Sequence, residues 1–484
     1  MPLVIKKITD QDRDNIRALV TDIGVMKYVG GRKIWDNDKL DKFMKYTLKE
    51  YESKSIDNIY MKIVNDRGEH LEKTFIGLVG IHKYDDDNWH SLTVMINKNQ
   101  QSRGIGTSAI SLILDKFHKK NDTVPYVVSD TLADNMAAQK SLTKVGFIFQ
   151  KNVERSGKTY KRFHYNFALD DIIKYDYPYL HHFLSQDAMI ERFKKLQKYK
   201  PEFKQRDKDK FGFDIVINYD IDKEYNRITD WFTDICRARC IFKSSKMTPY
   251  DYYKKNKGLI LSKSLVSQPN QKNAEFDYDK FEDTIYNSVK MCNNFQLTIV
   301  MNIYKYFNAK KILDSSAGWG DRLIAALACG ASYTGVDPSS CLASLYKKII
   351  KTLSPKVSSE LSYTVISKPF EKVTKNELGE CDYDLAFTSP PFFDLEIYND
   401  DDTQSVIGYK TQKEWVTNFL NVLADINIHY LKVNGYFVIY VPGYDEFMEY
   451  MRKRKDLEYY GDIVYYYTHS DRKKRKIMVW KKIS

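Results

Sequence analysis

Over residues 296–484 short apolar runs alternate with stretches of helical spacing, and this rhythm restricts the possible folds more than any other feature of the chain. It predicts strands at Lys311–Leu313, Tyr333–Val336, Tyr363–Ile366, Asp384–Thr388, Tyr436–Val441, Tyr459–Thr468 and Lys476–Lys481. Helices are predicted at Asp321–Cys329, Cys341–Thr352 and Lys413–Tyr430. Strands that alternate with helices form a mostly parallel sheet, which receives ligands at the C-terminal ends of its strands.

Residues 1–170 alternate in the same manner. Leu3–Ile8, Thr74–Lys83, Ser91–Ile96 and Tyr126–Asp130 read as strands, with a turn at Asp85–Asn88. Asp10–Val20, Thr107–His118 and Asn135–Lys144 have helical spacing, and Gly146 is placed to cap the last. The stretch 171–295 breaks the pattern. Lys194–Lys210 reads as a charged linker or solvated helix. In Arg237–Lys257 basic and aromatic residues interleave, as they do along a nucleic-acid backbone or on a plain helix surface. With 484 residues the chain is too long for one compact domain. The expected division is 1–170, a helical or irregular linker or substrate-recognition region at 171–284, and 285–484.

The net charge of +12 suits a polyanionic partner, although a lysine-rich composition supplies it without any function. The N-terminus lacks the apolar run of a secretion signal, and no run of about 18 apolar residues marks a membrane span. The six cysteines show no paired spacing for zinc and read as scattered reduced thiols.

Three short elements carry chemistry. Asp314-Ser-Ser316-Ala-Gly318-Trp-Gly320 joins an apolar strand to a helix, and its glycines allow a tight turn close to a ligand. Asp337 ends the next strand, where a carboxylate can accept both hydroxyls of a ribose. Ser389-Pro390-Pro391-Phe392 ends the fourth strand. Its prolines stiffen a shelf on which Ser389 and the Pro390 carbonyl can accept from a planar amine, while Phe392 stacks on the ring bearing it.

Residues 285–484 therefore resemble the nucleobase amino-methyltransferases, whose motif is Asp, Asn or Ser before Pro-Pro and an aromatic. Asp394-Leu-Glu396-Ile-Tyr398 is similar to phage and large-DNA-virus relatives in particular. The resemblance implies a Rossmann-like class I domain with a mostly parallel seven-stranded sheet. It implies that Asn294, Phe295, Asp314, Ser316, Gly318, Gly320 and Asp337 bind S-adenosylmethionine, and that Ser389, Pro390, Pro391 and Phe392 receive cytosine N4 or adenine N6. Arg322 is placed either to meet the cofactor carboxylate or to form a helix-surface ion pair. DNA stands ahead of RNA as partner, no membrane is implied, and the location is cytoplasmic, in an infected host cell if viral. The stretch from Phe392 to Trp415 is too short for the large recognition domain of restriction-type relatives. Recognition therefore falls to 171–295 or is absent, which suits single strands or RNA.

At the other end, Arg103-Gly104-Ile-Gly106 before a helix can cradle a pyrophosphate. Together with Asn135 and Gly146-Phe147 it resembles the GNAT acetyltransferases over residues 1–168, especially those that act on protein N-termini. This implies a mixed α/β sheet, acetyl-CoA held by Arg103, Gly104 and Gly106, and Asn135 beside the pantetheine arm. Leu142 stands where many members carry a Tyr. His90 is the candidate base, with a surface role as the plainer alternative. The chain thus reads as a bifunctional enzyme. Two alternatives stay open: an inactive GNAT binding module, and methylation of a nucleotide or other small molecule.

Overall fold

The computed structural model describes residues 3–29, 33–52, 58–65, 74–83, 89–201, 203–205, 213–217, 219–267, 274–358, 360–398, 403–467 and 470–484. The turn expected at Asp85–Asn88 lies outside them. The chain divides into two units, one of residues 1–176 with 255–284, the other of 177–254 with 285–484. The stretch expected as a separate middle region is thus shared between them.

The first unit is a seven-stranded mixed sheet of β1 (Leu3–Lys6), β2 (Ile59–Asn65), β3 (Phe75–Lys83), β4 (His90–Ile96), β5 (Tyr126–Leu132), β6 (Ile148–Arg155) and β7 (Lys158–Asn166), in the order β1-β2-β3-β4-β5-β7-β6. All neighbours are antiparallel except β4 and β5. The β3 sequence FIGLVGIHK is almost continuously apolar because it is buried on both faces. Ile76 and Val79 pack with Ile113 and Phe117 of the helix Ile105–His118. Leu78 packs with Leu19 and Met44 from the helices Arg13–Thr21 and Asn37–Glu50. Gly146 ends the helix Met136–Val145 at φ +117, the left-handed conformation expected of it.

The second unit departs from a seven-stranded, mostly parallel sheet. Chain order brings β8 (Phe203–Gln205), β9 (Phe213–Ile217) and β10 (Ile241–Phe242), then the hairpin β11 (Leu265–Ser267) and β12 (Ala274–Phe276) of the first unit. There follow β13 (Lys311–Asp314), β14 (Ser332–Val336), β15 (Tyr363–Ile366), β16 (Tyr383–Thr388), β17 (Glu396–Ile397), β18 (Leu431–Ile439), β19 (Leu457–Tyr467) and β20 (Ser470–Lys482). Nine strands pair in the order β15-β14-β13-β16-β18-β20-β19-β9-β8. The first five are parallel, β20 is antiparallel to both neighbours, β9 is parallel to β19, and β8 antiparallel to β9. All seven expected strands are present. The two extra ones come from residues 203–217, partly inside the supposed linker Lys194–Lys210. Their pairing with β19 and with each other is tertiary and leaves no local period to detect. The helix Leu297–Tyr306 is buried on every side from Leu297 to Tyr304, in keeping with its apolar composition.

Candidate functional site

In the second unit the winding reverses between β13 and β16, its two middle parallel strands. A crevice opens at such a point, beyond the carboxyl ends of the strands. The loops after β13, β14, β16 and β18 all line one cavity of about 650 Å³, within the range of about 300–1,000 Å³ typical of small-molecule pockets. Asn294, Phe295, Ser316, Gly318, Asp337 and the whole Ser389–Phe392 shelf are among its walls.

Asp314 stands behind this surface, wholly buried and absent from the cavity lining. Its carboxylate takes the Arg322 Nε at 2.7 Å, the Tyr333 hydroxyl at 2.6 Å and the Ser316 backbone N–H at 3.1 Å. Arg322 also donates to the Ser316 carbonyl. It is 3 % exposed, so of the two roles open to it the helix-surface pair gives way to a buried pair that fixes the turn, while Arg322 also stands in the cavity wall. Surrounding carboxylate holds the Arg322 guanidinium firmly protonated despite its burial. Gly318 and Gly320 have φ of +58° and +93°, and a Cβ on Gly320 would come within 2.9 Å of the Ile349 side chain. The turn is therefore closed to larger residues at Gly320.

Asp337 accepts the Gly318 and Ser339 backbone N–H groups, each at 2.9 Å, one on each oxygen. Burial pushes its carboxyl up to about 6 despite those two donors. The Tyr346 hydroxyl also interacts with this carboxylate, which with about four lone-pair sites still has capacity for a further donor. The Asn294 amide donates to Asp230 at 2.7 Å, and the Phe295 N–H reaches Asp321 at 3.3 Å. Burial likewise raises Asp321 to about 7. Phe392 lies edge-on to Tyr440, ring centroids 5.5 Å apart, and the Tyr440 N–H donates to the Thr388 carbonyl at 3.1 Å. The shelf is thereby tied to the end of β18.

Several lining residues escaped the sequence reading: Asp321, Tyr440, Tyr465 and Arg475, whereas Arg239 and Glu396 lie in the stretches Arg237–Lys257 and Asp394–Tyr398 that it singled out without assigning either residue to this cavity. Asp321 adjoins the glycine turn and Tyr440 ends an expected strand, so position alone could have suggested both. The others have no local signal. Arg239 reaches the cavity because β10 pairs with β17, Ile241 opposite Ile397 and Phe242 opposite Glu396. A further correction concerns the thiols. Cys236 and Cys341, 105 positions apart, form a disulfide beside this cavity, a pairing that spacing cannot reveal. Cys240, Cys292, Cys329 and Cys381 are free.

In the first unit β4 and β5 pair only through His90 with Val127 and Ser91 with Val128, leaving the remainder of both strands unpaired with each other. Backbone groups freed along a splayed parallel pair can bond an inserted ligand. The helix Ile105–His118 begins after Ser102 (φ +63°) and Gly104 (φ +77°), and no side chain caps it. Left-handed residues beside uncapped amides form an anion-binding nest. Gly104 and Arg103 are exposed there, and Arg103 donates to Gln100 at 3.3 Å. Gly106 lies in the first turn. Asn135 caps the helix Met136–Val145 through Ala138 N–H at 3.1 Å, so its side-chain oxygen already has a structural task. His90 is buried against Phe117 rather than on the surface. His82, bonded to the Tyr60 hydroxyl at 2.9 Å, is pushed down to about 4 by burial and then by His90.

Comparison with known proteins bears on the first unit. Residues 3–148 match the acetyltransferase (GNAT) domain model, and this stretch is a GNAT domain. No curated protein matches the chain. A domain from Methanocaldococcus jannaschii is similar at 17 % identity and TM-score 0.28, over 34 % of this chain and 98 % of that one. Spermidine N-acetyltransferase from Vibrio cholerae, solved with CoA and spermine, is similar at 15 % and 0.28, over 34 % and 95 %. A GNAT-family acetyltransferase from Bacillus anthracis gives 15 % and 0.28, over 34 % and 93 %. Among the described residues no helix is long and apolar enough to cross a membrane.

Proposed function

We propose that the second unit methylates the exocyclic amine of a nucleobase, cytosine N4 or adenine N6, in DNA ahead of RNA, and that the first acetylates an amine. The observation that carries the methyl-transfer reading is the single cavity shared by the glycine turn, Asp337 and the Ser389–Phe392 shelf. The residues present fit S-adenosylmethionine: Asp337 keeps acceptor capacity for ribose hydroxyls, Asn294, Phe295 and Ser316 line the same wall, and Asp314 and Gly320 shape the turn from behind. Bound there, that cofactor would supply an electrophilic methyl group.

Ser389 and the Pro390 carbonyl then accept the amine N–H groups and draw the nitrogen lone pair out of the ring system. Pro391 holds the shelf rigid, and Phe392 with Tyr440 fixes the ring plane, so that alignment does most of the work. A Ser389→Ala, Phe392→Ala double variant is expected to bind S-adenosylmethionine by calorimetry with unchanged affinity while methyl transfer to nucleic acid falls by about a hundredfold or more. Wild-type turnover in that variant would refute these roles.

For the GNAT domain, the nest at Arg103–Gly106 and the parting of β4 from β5 support acetyl-CoA binding, with Asn135 near the opening as a cap. That cofactor would supply the acetyl thioester. A reading as a binding module without turnover is favoured by the buried Leu142, which stands where many members carry a Tyr. Acetyl-CoA binding without acetylation across a panel of peptide and small amines would select it.

A further inference from the structure

We propose that Arg475, Tyr465 and Tyr440 form a nucleotide-positioning wall, in which the tyrosine rings border the target base and the Arg475 guanidinium takes its phosphate. The proposal rests on the methyl-transfer reading of the same cavity. A line of rings connects the shelf to Arg475. Tyr440 stands 5.5 Å from Phe392, and Tyr465 stands 6.0 Å from Tyr440. The β19–β20 register sets Arg475 opposite Tyr465. Its guanidinium carbon lies 5.9 Å from that ring, and its Nη1 3.5 Å from the hydroxyl.

Burial changes sharply along this line. Tyr465 is 2 % exposed, whereas Arg475 is exposed at the rim. Flat apolar faces therefore lie inside and a permanent cation at the mouth, the order of base and phosphate in a nucleotide. A second wall repeats the chemistry. Exposed Arg239 lies 3.8 Å over the Tyr250 ring and exposed Lys290 3.8 Å over Phe242, and both cations line the cavity. Cations on two walls suit a base with phosphates on both sides, that is, a residue within a strand rather than a free nucleobase.

Steady-state methylation of a single-stranded DNA of about 12 nucleotides tests this in the full chain. Arg475→Ala is expected to raise KM about tenfold while kcat changes little, and to reduce the salt dependence of log KM by about 0.7, one phosphate contact. Arg475→Lys should recover part of the affinity, since a phosphate also accepts a point charge. Thermal melting and S-adenosylmethionine calorimetry, both expected to match wild type, separate these effects from misfolding. An unchanged KM and salt slope in Arg475→Ala overturns the phosphate assignment alone. Failure of the wild type to methylate any nucleic acid overturns the underlying reading with it.

Discussion

Burial lifts the Asp337 carboxyl to about 6, while the task proposed for it, accepting two hydroxyls, needs the anion. The two demands act in opposite directions with pH. A folded-state value above the unfolded one makes a stabilising contribution that is complete below about 4 and lost as pH rises through about 6. Binding of a nucleoside cofactor follows the anion and should weaken as pH falls through about 6. Calorimetry over roughly pH 5 to 8 should show that slope in the wild type and a weak, flat profile in Asp337→Asn. A wild-type affinity independent of pH would separate Asp337 from the ligand. Arg322 offers a stability test. Arg322→Met leaves Asp314 buried without its cation and should cost about 3–5 kcal/mol in denaturant unfolding, part of it recovered by adding Asp314→Asn.

The turns and caps behave as elements with separable costs. Gly320→Ala forces a side chain into φ +93° against Ile349 and should lose about 1–2 kcal/mol of stability together with cofactor affinity. Asn135→Ala removes a helix cap worth about 1 kcal/mol, and a thermal melt reads that loss directly. The features legible in the sequence were those written into contiguous residues. The turn from Asp314 to Gly320, Asp337 at a strand end and Ser389 to Phe392 are each a few positions long, and alternation set them in one sheet. What long-range pairing makes was not legible. Strands β8 and β9 exist by joining β19 and each other, Arg239 enters the cavity through the β10–β17 pair, and Cys236 meets Cys341 across 105 positions. Of the two roles open to His90, base or surface residue, burial removes the second, and that burial depends on Phe117 from another element.

At the scale of the whole chain, the two proposed sites lie in two units whose boundaries cut through the middle region twice. The net charge of +12 suits the polyanion proposed as partner, and Arg239, Lys290 and Arg475 on the cavity walls are where the proposal seats it. Separate sites predict separate losses. The Ser389→Ala, Phe392→Ala variant should retain acetyl-CoA binding, whereas Gly104→Val, which puts a β-branched side chain at φ +77°, should weaken acetyl-CoA binding and spare methyl transfer. Calorimetry and a methylation assay on the two variants would show a shared site if both activities fell together.

The shelf and the ribose-facing acid are proposed to serve one methyl transfer to a base. The most direct test of this role is mass spectrometry of nucleosides from DNA and RNA incubated with the protein and isotopically labelled S-adenosylmethionine. Label is expected in N4-methylcytidine or N6-methyladenosine, or their deoxy forms, and none after the shelf is replaced. Label found only in protein or in small molecules would contradict it.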